Sequence, residues 1–400
     1  MMKAFSYSQF HLTNRTVLLR VDYNIPLIKN KVADASKIKT SIPIIKFLLT
    51  KKCKIIIATH LGRPNGKIVN DLKLNAISSI LKKLLPQEII IKLNDCIGRD
   101  IKNKIEKAKN ARIFLLENLR FYKEEEENNP AFAHSLANLA QIYINDAFSN
   151  SHRAHASMDA ITHFLPSLTG PQLEKEVFYL SKALKPKKPA IWIMGGAKLD
   201  KVDLINQALK KSNKVLIGGA LAFPFLKAKG YKVGMSKSDS NSTEIARKIL
   251  KKFSARKLVL PLDFVVADSF KPNAKTSIVD YNKIGLNQMA LDLGPKTIAL
   301  FKKHLQSAKT VVWNGPLGYC EWAKFAQSTK EIGRFLGNLE VIKIAGGGET
   351  AEVINKFYLS HNFTHVSTAG GAALTFLSGK ELPALKALEK NYKQFSKRKN

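Results

Sequence analysis

The stretch AIWIMGGAKLDKVDLI, residues 190–205, decides the predicted fold of the second half of the chain. Its first five residues form a short apolar run typical of a buried strand, and its last residues begin an amphipathic helical pattern. Gly195 and Gly196 lie between the two and let the backbone approach a ligand closely. Because a helix start favours anions, Lys198 and Lys201 at this junction indicate a phosphate site. A plain strand-to-helix turn with two solvated lysines gives the same pattern, so this stretch alone leaves both readings open.

Apolar strands alternate with amphipathic helical segments along the whole chain. The predicted strands are residues 16–21, 54–59, 88–93, 113–116 and 142–144 in the first half, and 190–194, 214–217, 258–260, 310–313, 341–344 and 364–367 in the second. This alternation predicts an α/β fold built on mostly parallel sheets with helices on both faces. Between the halves, Pro186-Lys187-Lys188-Pro189 is typical of a linker. We therefore expect two doubly wound domains joined by a hinge.

Polar and cationic residues follow four predicted strands of the first half. They are Asp22, Asn24, His60, Arg63, Arg120 and Arg153. The carboxyl ends of parallel strands meet at one edge of a sheet, where ligands of such folds bind. A single arginine after a strand is usually a surface ion pair, but guanidinium groups on successive strand ends suit a phosphate or carboxylate. The first half therefore predicts a basic cleft for a small anion.

Glycine-rich turns follow the predicted strands of the second half. They lie at residues 195–196, 218–219, 314–318, 346–348 and 370–371. Such turns place backbone N–H groups and helix starts around phosphates. The chain contains neither GxxxxGK[ST] nor GxGxxG, which excludes a Walker-type nucleotide site and the common dinucleotide fingerprint. We expect a nucleotide domain that faces the anion domain across the hinge.

The composition is strongly basic, with a formal net charge of +34 over 400 residues. This charge admits a nucleic-acid-binding surface. However, 54 of the 65 basic residues are lysines spread along the whole chain, which favours a lysine-biased background composition. The three cysteines lack metal-ligand spacing, and neither a secretory start nor an 18-residue apolar run is visible. We expect a cytoplasmic protein without a membrane or nucleic-acid partner.

Several strings resemble the phosphoglycerate kinase family, in family order and almost end to end. They include LLRVDYNIPL, ATHLGRPNG, LLENLRF, YINDAFSNSHRAHASM, IMGGAK, LPLDFVVAD, VVWNGPLGYCEW, AGGGET and STAGGAAL. The resemblance implies a monomer that transfers phosphoryl between 1,3-bisphosphoglycerate and MgADP, giving 3-phosphoglycerate and MgATP. It implies a substrate domain at residues 1–170 with a returning tail at 376–400, a hinge region at 171–188, and a nucleotide domain at 189–375.

The resemblance also implies a role for each matching residue. Those implied to hold the glycerate substrate are Asp22, Asn24, Lys37, His60, Arg63, Arg120 and Arg153. Those implied to contact the nucleotide are Gly196, Lys201, Gly218, Asn314, Glu321, Gly346, Gly347, Gly348, Glu349 and Thr350, with Glu349 also implied to contact Mg²⁺. Those implied to act on the transferring group are Lys37, Lys198, Gly347 and Gly370. Because the attacking carboxylate is already ionised at neutral pH, no general base is required, and the histidines are interpreted as binding or structural residues.

The chain departs from the family pattern at several positions. Lys37 stands where the family has an arginine, Lys198 and Lys201 are three positions apart instead of four, and Glu349 replaces an aspartate. Ala369 replaces a glycine, Thr375 replaces a glutamate, and Pro224 falls in a segment that is helical in the family. These departures leave open a divergent relative with reduced activity. The binding residues that remain favour an active enzyme.

Overall fold

The computed structural model describes residues 3–196, 202–254 and 256–396, which fall into two compact units. Unit 1 comprises Met1–Val177 together with Glu381–Asn400, and unit 2 comprises Phe178–Lys380. Each unit is built around a parallel sheet, so the predicted α/β class with two domains is confirmed. The functional domain limits derived from the sequence stay a prediction.

Unit 1 contains a seven-stranded sheet in which every neighbouring pair is parallel. The strands of this unit are β1 (Phe5–Ser6), β2 (Thr16–Arg20), β3 (Leu27–Ile28), β4 (Lys31–Val32), β5 (Lys54–Ala58), β6 (Ile90–Lys92), β7 (Ile113–Leu115), β8 (Ile142–Asn145) and β9 (Ser167–Thr169). The sheet order is β1-β9-β8-β2-β5-β7-β6, and β3 and β4 form a separate two-stranded ribbon. The four strands predicted to carry the anion site, β2, β5, β7 and β8, are therefore neighbours.

Helices cover both faces of this sheet because alternate strand residues point to opposite sides. The helices of unit 1 are α1 (Ser36–Thr50), α2 (Asn75–Leu84), α3 (Arg99–Lys107), α4 (Lys123–Glu126) and α5 (Pro130–Ala137), and α6 (Pro171–Leu184) begins in unit 1 and ends in unit 2. On one face, Val17 and Leu19 belong to a core that includes residues of α1 and α2. On the other face, Leu18 belongs to a core with residues of α3 and α5. Strands buried on both sides explain why their sequences are continuous apolar runs.

Unit 2 repeats this plan with a six-stranded parallel sheet. The strands of unit 2 are β10 (Ala190–Met194), β11 (Lys214–Ile217), β12 (Leu258–Val259), β13 (Asp263–Ala267), β14 (Thr276–Asp280), β15 (Met289–Leu293), β16 (Thr310–Asn314), β17 (Ile342–Gly346) and β18 (His365–Ser367). Its helices are α7 (Val202–Lys211), α8 (Ala222–Ala228), α9 (Ser240–Lys252), α10 (Pro295–Leu305), α11 (Gln327–Gly337), α12 (Gly348–Lys356) and α13 (Gly371–Leu377). The order β12-β11-β10-β16-β17-β18 places the fully buried β10 and β16 at the centre.

Unit 2 also contains an antiparallel sheet and a proline near the start of a helix. Strands β13, β14 and β15 form an antiparallel sheet that the alternation did not predict. Pro224 is the third residue of α8, within the first turn, where a missing N–H removes no hydrogen bond inside the helix. The proline is therefore compatible with the helical segment of the family.

The last described helix, α14 (Pro383–Ser396), packs on unit 1. The Asn391 side chain donates to the carbonyl oxygens of Thr162, at 2.5 Å, and Leu165, at 2.8 Å, and accepts from the Ser167 amide at 2.9 Å. Asn391 is almost fully buried, so its amide group needs all of these partners. The predicted return of the chain end to the first domain is confirmed.

Among residues 3–196, 202–254 and 256–396, no helix combines the length and apolar character required of a membrane span.

Candidate active site

The predicted anion site of unit 1 is organised around Asp22, which follows β2. Its carboxylate accepts from the Lys37 ammonium at 2.8 Å, from the Ser149 hydroxyl at 2.5 Å and from the Asn24 amide at 3.0 Å. Lys37 lies in the first turn of α1 and also donates to the Asn24 carbonyl oxygen at 3.0 Å. The Asn24 side-chain oxygen accepts from the Gly62 amide at 2.9 Å, which ties the loop after β2 to the loop after β5.

The Asp22 carboxylate is ionised at neutral pH. Burial alone would raise the pKa of Asp22, but the Lys37 ammonium and the hydrogen bonds that Lys37 and Ser149 donate lower it to about 2. The group therefore acts as a fixed hydrogen-bond acceptor.

His60 is a neutral imidazole held from behind by a buried arginine. Burial, followed by the charges of Arg20 and Arg120, lowers the pKa of His60 well below its ordinary value. The Arg20 guanidinium donates to His60 Nδ1 at 3.3 Å, and the Asn150 amide nitrogen lies 3.4 Å from the same atom. Because Arg20 can only donate, Nδ1 accepts and the ring proton lies on Nε2. His60 can therefore offer one N–H donor to a ligand.

Arg20 itself is fully buried and belongs to a polar network beneath the site. It donates to the Ser157 hydroxyl at 2.9 Å and to the Val21 carbonyl oxygen. Ser157 donates from its amide, at 2.9 Å, and its hydroxyl, at 2.5 Å, to the buried Glu125 carboxylate. Burial raises the pKa of Glu125, and the Arg20 charge opposes that rise.

The three predicted phosphate arginines occupy different environments. Arg120 is buried, donates to the Gly62 carbonyl oxygen at 2.8 Å and lies 3.4 Å from the Glu126 carboxylate. Burial lowers the pKa of Arg120, and the neighbouring Arg153 charge lowers it further against the attraction of Glu126. Arg153 is half-buried, and Arg63 is exposed on the loop after β5. Asp22, Lys37, His60, Arg120 and Arg153 are thus linked by contact or by mutual electrostatic influence.

Two further histidines in the loop after β8 are also neutral. Burial, then the charges of Arg120, Arg20 and Arg153, lowers the pKa of His155 to about 3. Burial and the adjacent Arg153 charge lower the pKa of His152, whose Nε2 accepts from Arg153 at 3.2 Å. His152 thus contacts an arginine, and neither histidine adds charge near neutral pH. Their interpretation as binding or structural residues stays a prediction.

Unit 2 contains a cavity of about 500 Å³, a volume within the range of small-molecule sites. Its walls combine apolar and aromatic side chains, including Phe264, Phe270, Leu293 and Leu317, with the carboxylates of Asp292, Glu321, Glu349 and Glu352. Of the predicted nucleotide-binding residues that the structure describes, Gly196, Glu321 and Glu349 line it. An apolar cavity with a few polar groups suits a flat base and a sugar.

The ends of β16 and β17 are joined to the start of α12 by side-chain hydrogen bonds. The side-chain amide of Asn314 donates to the Gly346 carbonyl oxygen at 2.5 Å, and the Thr350 hydroxyl donates to the same oxygen at 3.1 Å. Thr350 also accepts from the Gly315 amide at 2.7 Å. Gly347 caps α12 with φ 107°, and a Cβ there would lie 2.6 Å from the Asn314 amide nitrogen. These residues hold the predicted phosphate turn in shape.

The glycines after β10 and β11 pack against neighbouring backbone. The amides of Gly195, Gly196 and Gly218 donate to the carbonyl oxygens of Asn314, Pro316 and Met194, each at 2.8 Å. A Cβ on Gly195 would overlap the Pro316 carbonyl oxygen. Glycine is needed here for the close approach of strand ends, whereas the pattern suggested backbone amides directed at phosphates.

The remaining predicted residues lie at the start of α13 or outside the described chain. Gly370 caps α13 with φ 52°, and the buried Ala369 precedes it, so the left-handed conformation falls on the glycine. Thr375 donates to the Gly371 carbonyl oxygen at 2.9 Å. Lys198 and Lys201 lie outside the described residues, as does the shortened spacing between them.

Sequence reasoning missed three residues that shape these sites. Arg20 was concealed within an apolar strand pattern, where its position among buried residues was the available signal. Ser149 lies in a loop rich in polar residues and carried no distinguishing pattern. Tyr319 stands two residues before Glu321, to which it donates a hydrogen bond of 2.5 Å.

Comparisons with known proteins give one consistent result. The sequence profile of a family described as phosphoglycerate kinase matches residues 7–380. A phosphoglycerate kinase from Dictyoglomus turgidum is 43% identical over 383 residues, covering 94% of this chain and 96% of the relative. One from Moorella thermoacetica is 40% identical over 391 residues, covering 97% and 99%. A solved structure of phosphoglycerate kinase from Coxiella burnetii matches with a TM-score of 0.88 and 33% identity, covering 98% of this chain and 100% of that chain.

Proposed function

Since the chain belongs to the phosphoglycerate kinase family and its function is phosphoryl transfer from 1,3-bisphosphoglycerate to ADP, we propose which of its residues perform that reaction. The reaction is reversible and gives 3-phosphoglycerate and ATP. The enzyme is thus a kinase whose acceptor in the reverse direction is a carboxyl group.

We propose that the unit 1 site binds 3-phosphoglycerate. The observation that carries this assignment is the linked set of Asp22, Lys37, neutral His60, Arg120 and Arg153 at adjacent strand ends. The arginines, with exposed Arg63, suit the phosphate through charge-assisted hydrogen bonds. Asp22 and Asn24 offer acceptors to the glycerate hydroxyl, and His60 offers its Nε2 proton to a substrate oxygen.

This inventory suits a transfer that needs no proton acceptor. The carboxylate of 3-phosphoglycerate is already ionised at neutral pH, so it can attack the terminal phosphate of ATP directly. Catalysis then depends on positioning the reactants and neutralising the charge spread over the transferring group. We propose Lys37, Lys198, Gly347 and Gly370 as the residues nearest that group. Neutral His60 binds substrate and removes no proton.

We propose that ADP or ATP occupies the unit 2 cavity. The apolar walls suit the base, and Glu321 accepts hydrogen bonds from the ribose. The phosphates then lie toward the start of α12, where residues 346–350 and the amino end of the helix favour negative charge. Gly196, Lys201, Gly218 and Asn314 complete the proposed set.

The residues present also fit a magnesium ion carried by the nucleotide. Mg²⁺ is usually held by one or two carboxylates together with substrate phosphates and water. Within residues 3–196, 202–254 and 256–396, no three His, Cys, Asp or Glu side chains form a cluster that could hold a metal. Glu349 is an exposed carboxylate in the first turn of α12 beside the cavity, so we propose it as the protein ligand. When bound, the metal neutralises phosphate charge.

The deciding experiment is a coupled assay of ATP formation by the purified chain from 1,3-bisphosphoglycerate and ADP, with and without Mg²⁺. We expect turnover that requires the metal. Folded protein that binds nucleotide without turnover would instead support the divergent, low-activity relative. Duplex DNA binding at physiological salt would support an additional nucleic-acid role, which we do not expect. We further propose a cytoplasmic monomer, which sedimentation and fractionation test.

Replacing Lys37 by arginine is expected to raise turnover severalfold. The Lys37 ammonium donates to the Asp22 carboxylate and to the Asn24 carbonyl oxygen. An arginine guanidinium could keep one of these contacts and donate from a second nitrogen to the substrate. Steady-state kinetics with 3-phosphoglycerate and MgATP measure the effect, and Lys39→Arg, on the exposed face of the same helix, is the matched control. A large loss of activity in Lys37→Arg would show that the site has adapted to lysine.

A further inference from the structure

The Tyr319 hydroxyl is bound to the carboxylate that we propose as the ribose acceptor. It donates to Glu321 Oε2 at 2.5 Å, and both side chains line the unit 2 cavity. This bond raises the pKa of the Tyr319 phenol, as expected when a carboxylate accepts its proton. A carboxylate can accept at both oxygens, so a bond at Oε2 still allows Oε1 to accept from a ligand hydroxyl.

The tyrosine ring is held in place independently of this hydrogen bond. It packs edge-on against Phe270, with ring centroids 5.0 Å apart, and against Trp322, at 4.7 Å. The Tyr319 amide also donates to the Leu291 carbonyl oxygen of β15 at 2.8 Å. A phenol fixed at its ring and its backbone presents its hydroxyl in one direction.

The Glu321 backbone is anchored, but its side chain is exposed. The Lys356 ammonium of α12 donates to the carbonyl oxygens of Cys320, at 2.9 Å, and Glu321, at 3.3 Å. An exposed glutamate loses rotamer freedom when it is ordered for binding. The Tyr319 hydroxyl can supply that order before the nucleotide arrives.

We propose that Tyr319 is a positioning residue that holds the Glu321 carboxylate ready for the ribose hydroxyls and thereby strengthens the preference for ribonucleotides. This inference rests on the proposed contact between Glu321 and the ribose. Tyr319 itself acts through Glu321 and needs no contact with the phosphates.

The test compares Tyr319→Phe with wild type, because phenylalanine keeps the ring packing and removes only the hydroxyl. Calorimetric dissociation constants are measured for MgADP and for 2′,3′-dideoxy-ADP with magnesium, which lacks both ribose hydroxyls. Loss of one orienting hydrogen bond at an exposed carboxylate should weaken MgADP binding roughly three- to tenfold and leave the dideoxy analogue unchanged. Tyr358→Phe, at a tyrosine that is 84% exposed, is the matched control and should change neither constant.

A double-mutant cycle makes the inference sharper. In a Glu321→Ala background, Tyr319→Phe should have no further effect on MgADP binding, because the partner of the hydroxyl is gone. An equal loss for both nucleotides, or no loss for either, would overturn the inference and leave the Glu321 contact standing. If wild-type protein binds the two nucleotides equally well, both the proposed contact between Glu321 and the ribose and the proposed role of Tyr319 are wrong. The wild-type comparison alone therefore separates the two failures.

Discussion

Replacing Gly195 by alanine is expected to destabilise unit 2 by about 3 kcal/mol or more, because a methyl group there overpacks a rigid backbone contact. The added Cβ would overlap the Pro316 carbonyl oxygen, which already accepts from the Gly196 amide at 2.8 Å. Neither backbone segment can move freely, since Gly195 also donates to Asn314 at the end of β16. Relief therefore requires the central strands β10 and β16 to separate.

Tryptophan fluorescence during urea unfolding measures this effect on unit 2 specifically. The three tryptophans of the chain, Trp192, Trp313 and Trp322, all lie in that unit. A unit-specific probe is needed because multidomain proteins seldom unfold in a single step. The control is Gly348→Ala, where an added Cβ meets nothing within 4 Å. Equal unfolding midpoints for Gly195→Ala and wild type would contradict the close packing described here.

Replacing Arg20 by methionine is expected to destabilise unit 1 by about 3–5 kcal/mol, the range for removing one charge from a buried polar network that contains an opposite charge. Methionine fills similar volume but leaves Glu125 and Ser157 without the guanidinium. It also removes the donor that fixes the His60 tautomer, so binding of 3-phosphoglycerate should weaken as well. Arg20 thus supports both the stability of the unit and the geometry of the site.

Far-ultraviolet circular dichroism reports the helices of both units, and tryptophan fluorescence reports unit 2. We expect the dichroism to show an earlier transition in the variant while the fluorescence transition stays unchanged. Arg112→Met is the matched control, since its partly exposed ion pair with Glu88, at 3.5 Å, should contribute at most about 1 kcal/mol. Similar small losses for both variants would show that the Arg20 network does not stabilise the unit.

The parallel sheets could be predicted because their strands are buried on both faces and are therefore read as unbroken apolar runs. The predicted anion site rests on the same reasoning, since Asp22 and His60 come directly after such runs and Arg120 and Arg153 lie in the loops that follow two more. The antiparallel strands of unit 2 escaped because β14 is largely exposed and lacks an apolar pattern. A strand could thus be predicted from the sequence where it is buried on both faces.

The finer chemistry of the sites depends on contacts between residues distant in sequence, which no local pattern reports. The His60 tautomer follows from Arg20, forty positions earlier, and the Asp22 acceptor geometry depends on Ser149. The sequence pattern shows that Gly195 lets the backbone approach a neighbour closely. The structure shows that this neighbour is the Pro316 carbonyl oxygen, which leaves no room for a side chain. The role that we propose for Tyr319 follows from the hydrogen bond between its hydroxyl and Glu321, which the sequence does not show.

The histidines beside the proposed substrate site of unit 1 are neutral, so they keep a constant charge near neutral pH. His60, His152 and His155 all have pKa values lowered by burial and by neighbouring arginines, so none of them gains a proton near neutral pH. The guanidinium groups stay protonated throughout the same range. The ligand itself titrates just below neutral pH, since the second ionisation of a phosphate monoester lies near a pKa of about 6. We therefore expect the ionisation of 3-phosphoglycerate to contribute to the pH dependence of its affinity, and His60 and His155 to contribute little near neutral pH.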